Sequence, residues 1–110
     1  MKNILIVCSA GASSGFLAKT IRQEVARRNL PLSFKARSYS EAEEYMEEID
    51  LLLVGPHLSY MMNDFIELGK EYGIPSEMIS KEAYGSMDAD AIIDTVVNHF
   101  KNKGENLWKN

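Results

Sequence analysis

The chain has 110 residues, of which 45% are hydrophobic and 25% charged, and its formal net charge is −4. These totals predict one globular domain with a modest core, and they exclude a general nucleic-acid surface because no basic excess exists to displace counterions. The apolar run at residues 4–7 is too short for a signal-peptide core, and no run approaches a bilayer span. We therefore expect a cytoplasmic protein without direct membrane insertion.

The first half of the chain alternates strands with helices. The segment at residues 3–7, in which a continuous apolar run of branched residues follows Asn3, predicts a strand buried on both faces. A helix should follow, with Ser13 or Ser14 as its N-cap and its end near Asn29. Residues 32–37 alternate apolar with polar side chains, which is typical of a half-exposed edge strand.

A second helix and a second buried strand come next. Ser40 and Glu43 have the spacing of a capping box, which predicts a short helix. The apolar run at residues 51–54 predicts another strand buried on both faces. A third helix is expected over residues 59–72, closed by Gly73.

The chain ends with a fourth strand and a fourth helix. Residues 74–79 predict the strand, and Asp88 is the expected N-cap of the helix. The apolar positions of that helix are Ile92, Ile93, Val96, Val97 and Phe100. We expect one domain over residues 1–103, followed by a flexible C-terminal tail at residues 104–110.

Strands that alternate with helices predict an α/β fold, here a single-domain, three-layer sandwich. The two apolar strands should be central, which gives a four-stranded parallel sheet of order 2-1-3-4 with helices on both faces. Ligands of such sheets bind beyond the carboxyl ends of the strands, where the winding reverses. The reversal lies between strands 1 and 3, so the loops at residues 8–15 and 55–61 should flank the site.

Cys8 is the single cysteine and stands at this reversal. One cysteine forms no internal disulfide and no cysteine-based zinc site, so we expect neither a metal nor another cofactor. A P-loop-like loop of small residues follows it, composed of Ser9, Ala10, Gly11, Ala12, Ser13, Ser14 and Gly15. Such a loop at a helix start directs several amide N–H groups at one point, and that field favours both an anion and a thiolate.

Cys8 is also compatible with other roles. Free cysteines are often buried as small apolar side chains, and the sequence leaves that possibility open. A redox role of the thiol remains open, although no C-x-x-C partner exists to resolve a disulfide. Nucleotide binding is not indicated, because Gly11 and Gly15 fit neither nucleotide-binding glycine motif. A receiver-type phosphoaspartate is excluded by position, because Asp50 begins the third strand instead of ending it.

Several residues are candidates for the rim of the site. His57 should face Cys8 from the end of the third strand, although a solvated loop histidine is the simpler interpretation. Tyr84 follows the fourth strand and is a second rim candidate. An apolar cluster is expected in the loops and first turns near Cys8: Phe16, Leu58, Tyr60, Met61 and Met62. Some of these residues must belong to the core, and we expect the remainder to form an apolar collar that docks partners.

Three blocks of sequence resemble the enzyme IIB component of bacterial sugar phosphotransferase systems. They are Cys-Ser-Ala-Gly-Ala-Ser-Ser at residues 8–14, Leu-Leu-Val-Gly-Pro-His-Leu-Ser-Tyr-Met at residues 52–61, and Ala-Tyr-Gly-Ser-Met-Asp at residues 83–88. The resemblance runs from residue 2 to about residue 103 and is strongest to the lactose, cellobiose and chitobiose branch. The family more often has glutamine at the position of His57, which argues against an essential acid–base role there.

The resemblance implies a phosphocysteine carrier, in which Cys8 is the phosphorylated residue and residues 9–15 are its phosphate cradle. Such a carrier receives phosphate from a histidine of a IIA protein. It then passes the group to a sugar, such as a β-linked disaccharide, held by the membrane IIC permease. A monomer is the default expectation.

Two alternatives from other classes remain. The cysteine loop also resembles that of low-molecular-weight tyrosine phosphatases, but Ser14 stands where those enzymes have the arginine that stabilises the transition state of ester hydrolysis. The other alternative is a regulatory binding module, in which phosphorylated Cys8 signals to a transcription factor.

Overall fold

A computed structural model of the chain describes residues 1–8 and 12–104, with side chains for residues 1–8 and 15–104. The strands are β1 Lys2–Cys8, β2 Leu32–Ser38, β3 Leu51–Val54 and β4 Ser76–Met78. The α-helices are α1 Ala12–Arg27, α2 Ala42–Tyr45, α3 Met62–Tyr72, α4 Lys81–Gly85 and α5 Ala89–Asn102. Two 3₁₀ segments cover Tyr39–Glu41 and Pro56–Met61.

The strands form one parallel sheet of order β2-β1-β3-β4, as predicted. Cys8 pairs with Ser38 of β2, and Val7 pairs with Val54 of β3, which in turn pairs with Met78 of β4. The carboxyl ends of all four strands therefore meet at one edge, and the reversal of winding between β1 and β3 lies at its centre.

The sheet separates two apolar cores, which confirms the three-layer architecture. Alternate residues of β1 serve the two cores: Ile4, Ile6 and Cys8 pack with α1 and α5, whereas Leu5 and Val7 pack toward α2 and α3. All five are at most 2% exposed. Because each buried aliphatic side chain stabilises the fold by roughly 1.5–3 kcal/mol, β1 is the main structural support of the edge where Cys8 lies.

Two predicted caps are confirmed, and one is displaced. Gly73 ends α3 with a left-handed φ of 71°, and the Asp88 carboxylate accepts the Ala91 N–H at 3.0 Å. The capping box is formed by Ser38 and Glu41, whose carboxylate accepts the Ser38 N–H at 3.2 Å. The prediction of a box at residues 40 and 43 was wrong, because the helical turn begins directly where β2 ends.

Three boundaries also differ from the predictions. The chain at residues 59–61 is 3₁₀ rather than α-helical, and Leu58 before it is non-helical (φ −103°, ψ 18°). The fourth strand is limited to Ser76–Met78, and a short helix, α4, follows it that was not predicted.

The boundary of a tail after residue 103 stays a prediction, because residues 105–110 lie outside the described residues. Among the helices described, none is both long and apolar enough to cross a bilayer.

Candidate functional site

Cys8 is the last residue of β1, and it is only 1% exposed. Its side chain belongs to the core on the α1 and α5 face of the sheet. Since β1 pairs with both β2 and β3, the sulfur lies at the carboxyl edge where the winding reverses. The predicted position of Cys8 is therefore confirmed.

Helix α1 begins close behind Cys8, at Ala12. Residues 12–15 are thus the first turn of α1. The prediction that these residues belong to the loop was wrong, and so was the prediction that Ser13 or Ser14 is the N-cap of the helix. The first N–H groups of a helix lack intrahelical partners and favour anions. Three predicted loop residues, Ser9, Ala10 and Gly11, lie outside the described residues, as do the side chains of Ala12, Ser13 and Ser14.

Tyr84, which is distant from Cys8 in sequence, contacts the sulfur. Its hydroxyl donates a hydrogen bond to Cys8 Sγ at 3.5 Å, across 76 residues of sequence. The sequence had placed Tyr84 on the rim without a partner. The structure gives it direct contact with the sulfur of Cys8, the candidate nucleophile of the sequence.

Tyr84 is positioned by helix α4, which begins directly beside the sheet. The Ile79 N–H donates to the Val54 carbonyl at 2.8 Å, so the chain leaves the sheet beside β3. The Ser80 side chain then caps α4 by accepting the Ala83 N–H at 3.1 Å. The Tyr84 N–H also donates to the Ser80 carbonyl at 3.0 Å. Tyr84 is therefore one turn of helix away from the β-sheet.

His57 packs on Tyr84. Their ring centroids are 5.4 Å apart, with the planes tilted by 56°. The imidazole also lies over Gly55, where an added Cβ would come within 2.8 Å of His57 Cε1. Gly55 itself donates its N–H to the Val7 carbonyl at 3.0 Å. His57 is exposed, and it flanks the residue that contacts Cys8, so whether it acts at the rim or is only a loop histidine stays a prediction.

The predicted apolar collar divides into core and surface. Leu58 is 1% exposed and belongs to the core on the α2 and α3 face, and Met61 and Met62 are partly buried against the same core. Tyr60 and Phe16 are 79% and 60% exposed. Tyr60 lies in the segment after β3, and Phe16 follows the first turn of α1. These two aromatic side chains are the exposed part of the collar.

The arginines closest to the site in sequence and in the sheet are engaged elsewhere. Arg22, the first arginine after Cys8, donates to the Phe34 carbonyl at 3.2 Å. Arg37 pairs with Val7 in the sheet, but its Nε donates to the Tyr45 hydroxyl at 2.8 Å. Tyr45 packs against the core of the opposite face from Cys8. A guanidinium of the phosphatase type is thus not supplied by either residue.

Metal ligands do not converge in the described part of the chain. Within residues 1–8 and 12–104, no group of three or more His, Cys, Asp or Glu side chains is placed to hold an ion. Asp50 has a structural role at the opposite edge of the sheet, where its carboxylate accepts the Asn3 N–H at 2.8 Å.

The fold and the site define a parallel α/β protein with its one cysteine at the switch point of the sheet. A family model described as PTS system, Lactose/Cellobiose specific IIB subunit, matches residues 3–95. The chain belongs to this family of the sugar phosphotransferase system (PTS). It therefore has the phosphotransferase role of an EIIB component.

Curated relatives agree with the family. The oligo-beta-mannoside-specific EIIB component of Bacillus subtilis is 30% identical over 88 residues, which cover 80% of this chain and 85% of that protein. The cellobiose-specific EIIB component of Lactococcus lactis is 24% identical over 102 residues, with coverage of 88% and 94%. The lactose-specific EIICB component of L. lactis is 26% identical, but the match covers only 16% of its length. Related IIB units are thus fused to IIC components.

Solved structures support the same conclusion. A cellobiose-specific phosphotransferase IIB component from Borrelia burgdorferi has a TM-score of 0.76 and 29% identity, covering 93% of this chain and 94% of that one. The lactose-specific IIB domain from Streptococcus pneumoniae has a TM-score of 0.80, covering 90% and 97%. Its identity is 16%, so it supports the fold alone.

Proposed function

We propose that Cys8 is the phosphoryl acceptor of this EIIB component, with a IIA phosphohistidine as donor and a sugar bound by a IIC permease as final acceptor. The observation that carries the proposal is the position of Cys8, which ends the central strand at the edge where α1 begins. A nucleophile at a switch point, beside unpaired helix N–H groups, meets the two requirements of phosphoryl acceptance.

The chemistry is two successive displacements at phosphorus. In the first, the Cys8 thiolate forms an S–P bond while the N–P bond of the phosphohistidine breaks and its electron pair returns to the ring nitrogen. In the second, a sugar hydroxyl forms an O–P bond and gives its proton to a general base at the permease, while the S–P bond breaks and its electron pair returns to sulfur. The second displacement restores the free sulfur, so the chain is ready to accept another phosphoryl group.

The phosphoryl oxygens would be held by backbone N–H groups. We propose that this cradle is the predicted loop at residues 9–15, whose described part is the first turn of α1. Oriented amides neutralise anionic charge without a cation. The small side chains at residues 9–15 leave room for the backbone to approach the phosphoryl group. Phosphorylation adds close to two negative charges, which strengthens these charge-assisted hydrogen bonds.

The sugar is proposed from the relatives. Those with high coverage of both chains are named for oligo-β-mannosides, galactose and cellobiose, and others are named for lactose. We infer a β-linked disaccharide such as cellobiose, chitobiose or lactose, bound by the permease and not by this chain. The protein would work on the cytoplasmic face of the membrane.

Intact-mass spectrometry tests the acceptor. The wild type and Cys8→Ser are incubated with phosphoenolpyruvate, the general PTS proteins and a panel of IIA proteins, and Tyr72→Phe serves as a matched control remote from the edge. We expect one phosphoryl group on the wild type and on Tyr72→Phe, and none on Cys8→Ser. A phosphorylated Cys8→Ser, or a wild type that stays unmodified by every phosphorylated IIA, would overturn the proposal.

A further inference from the structure

The hydroxyl of Tyr84 is a polar group in contact with the reacting sulfur that the two displacements above do not use. It donates to Cys8 Sγ at 3.5 Å, a distance suited to an O–H···S hydrogen bond. Cys8 is 1% exposed, so a donor that reaches its sulfur acts where water competes little.

The position of the hydroxyl is fixed from several sides. Ser80 caps the helix that carries Tyr84, and the Met87 N–H donates to the Tyr84 carbonyl at 3.2 Å beyond it. Met87 has a left-handed φ of 52°, which turns the chain sharply into α5. The His57 ring packs against the phenol. A donor placed by a capped helix, a turn and a ring contact is preorganised and loses little entropy when it binds charge.

A phenol differs from the arginine of phosphatase loops in a way that suits a carrier. It offers one neutral donor, whereas a guanidinium offers a charged fork that stabilises the transition state of hydrolysis. Arg22 and Arg37 are held by Phe34 and Tyr45. Tyr84 is thus the side chain whose described contacts qualify it to steady charge at sulfur.

We propose that the Tyr84 hydroxyl is a catalytic donor, bonded to the Cys8 thiolate before phosphoryl transfer and to a phosphoryl oxygen of phosphocysteine after it. The oxygen atoms of the phosphoryl group are two bonds from sulfur, so a small rotation of the phenol carries the donor from one to the other. No proton leaves the tyrosine in either state. The inference rests on the proposed acceptor role of Cys8.

The experiment uses the full chain and four proteins: wild type, Tyr84→Phe, Tyr72→Phe and Ser80→Ala. Tyr84→Phe removes the hydroxyl but keeps the ring against His57. Tyr72→Phe removes a hydroxyl at the end of α3, at the opposite edge of the sheet. Ser80→Ala removes the N-cap of α4 but keeps the Tyr84 hydroxyl. Thermal unfolding is recorded for all four proteins.

Two rates are measured near neutral pH: iodoacetamide alkylation of unphosphorylated Cys8, and single-turnover transfer from phosphorylated IIA. Hydrogen bonds to charged groups are strong enough that we expect both rates to fall about tenfold in Tyr84→Phe. The unfolding midpoint of Tyr84→Phe should stay close to that of the wild type. Tyr72→Phe should retain both rates, and Ser80→Ala should lose more stability than Tyr84→Phe while losing less of either rate.

Three results would overturn the inference. One is both rates of Tyr84→Phe within twofold of wild type. Another is slow alkylation with unchanged transfer, which would remove Tyr84 from the transfer step. The third is a loss of rate in each variant that parallels its loss of unfolding midpoint, with Ser80→Ala losing the most of both. The role of Tyr84 would then be structural. If the wild type accepts no phosphate at all, the acceptor role of Cys8 fails, and the alkylation rates still decide the contact.

Discussion

Gly69 is a buried residue of α3 at which one added methyl group should destabilise the fold strongly. The chain turns back at Gly73, and the Ile74 N–H donates to the Gly69 carbonyl at 2.8 Å. A Cβ on Gly69 would overlap the Ile74 carbonyl oxygen, well inside the 3.0 Å that real Cβ atoms essentially never cross. The obstacle is backbone, so no side chain can rotate to relieve it.

The cost of Gly69→Ala follows from the shift that it demands. Ordinary van der Waals separation requires the Ile74 carbonyl to move by about 1 Å. That movement disturbs two hydrogen bonds. One is the bond from the Ile74 N–H to the Gly69 carbonyl, and the other is the next one along the chain, from the Leu52 N–H to the Pro75 carbonyl at 3.0 Å. Overpacking costs about 1–3 kcal/mol, weakened hydrogen bonds about 1 kcal/mol, and the better helix propensity of alanine returns up to about 1 kcal/mol. We expect a net loss of about 1–4 kcal/mol.

Urea denaturation followed by circular dichroism measures this loss, and Gly85→Ala is the matched control. An added Cβ at Gly85, in α4, meets nothing within 4 Å. The same substitution should therefore be neutral or stabilise the protein by up to about 1 kcal/mol there. The midpoint of Gly69→Ala should fall with an unchanged m-value. Equal midpoints for the two variants would refute the packing argument.

Two further predictions concern ionisation and hydrolysis. Burial, with Glu43, Glu47 and Glu71 nearby, raises the pKa of Tyr72 above its ordinary value of 10.0. The unfolded chain therefore loses this proton first, so the contribution of Tyr72 is intact below about pH 10 and falls above it. Thermal unfolding is measured from about pH 8 to about pH 11. The unfolding midpoint of Tyr72→Phe should rise relative to that of the wild type above about pH 10. A difference between the two midpoints that stays constant over this range would contradict the raised pKa. Separately, the wild type should hydrolyse p-nitrophenyl phosphate no faster than Cys8→Ser, because loss of a charge-stabilising donor costs roughly 10² in rate. Cys8-dependent turnover would favour the phosphatase alternative.

The sheet order was predictable because burial leaves a direct trace in the sequence. The apolar runs at residues 4–7 and 51–54 can only be central strands, and the alternating residues 32–37 fit an edge. Local signals failed where two of them overlapped. Ser38 with Glu41 and Ser40 with Glu43 have the same capping-box spacing, and only the end of β2 decides between them. That end is set by pairing with β1, which no local pattern records.

The site was predictable in part for the same reason. Cys8 could be located because the end of a central strand is readable. The contact with Tyr84 could not, because it depends on α4, which at five residues has too little periodicity to detect. The available clue was positional: Tyr84 follows β4, and all parallel strands end at the edge where Cys8 lies. This clue indicates that Tyr84 lies near Cys8. The hydrogen bond between them also depends on the turn of the chain at Ser80, which the sequence pattern does not reveal.

Burial of the sulfur and the neutrality of its donor together favour a carrier over a hydrolase. A phosphocysteine must persist until a second protein arrives, so water and strong transition-state stabilisation are both harmful to it. Cys8 at 1% exposure limits water, and Tyr84 steadies charge without the fixed positive charge of an arginine. A partner must then approach along the carboxyl edge of the sheet, where Tyr60 is 79% exposed. Docking there would bring a donor histidine or a sugar hydroxyl to the sulfur while excluding bulk water. Selectivity for transfer would thus come from access to the edge rather than from the intrinsic reactivity of the thiol.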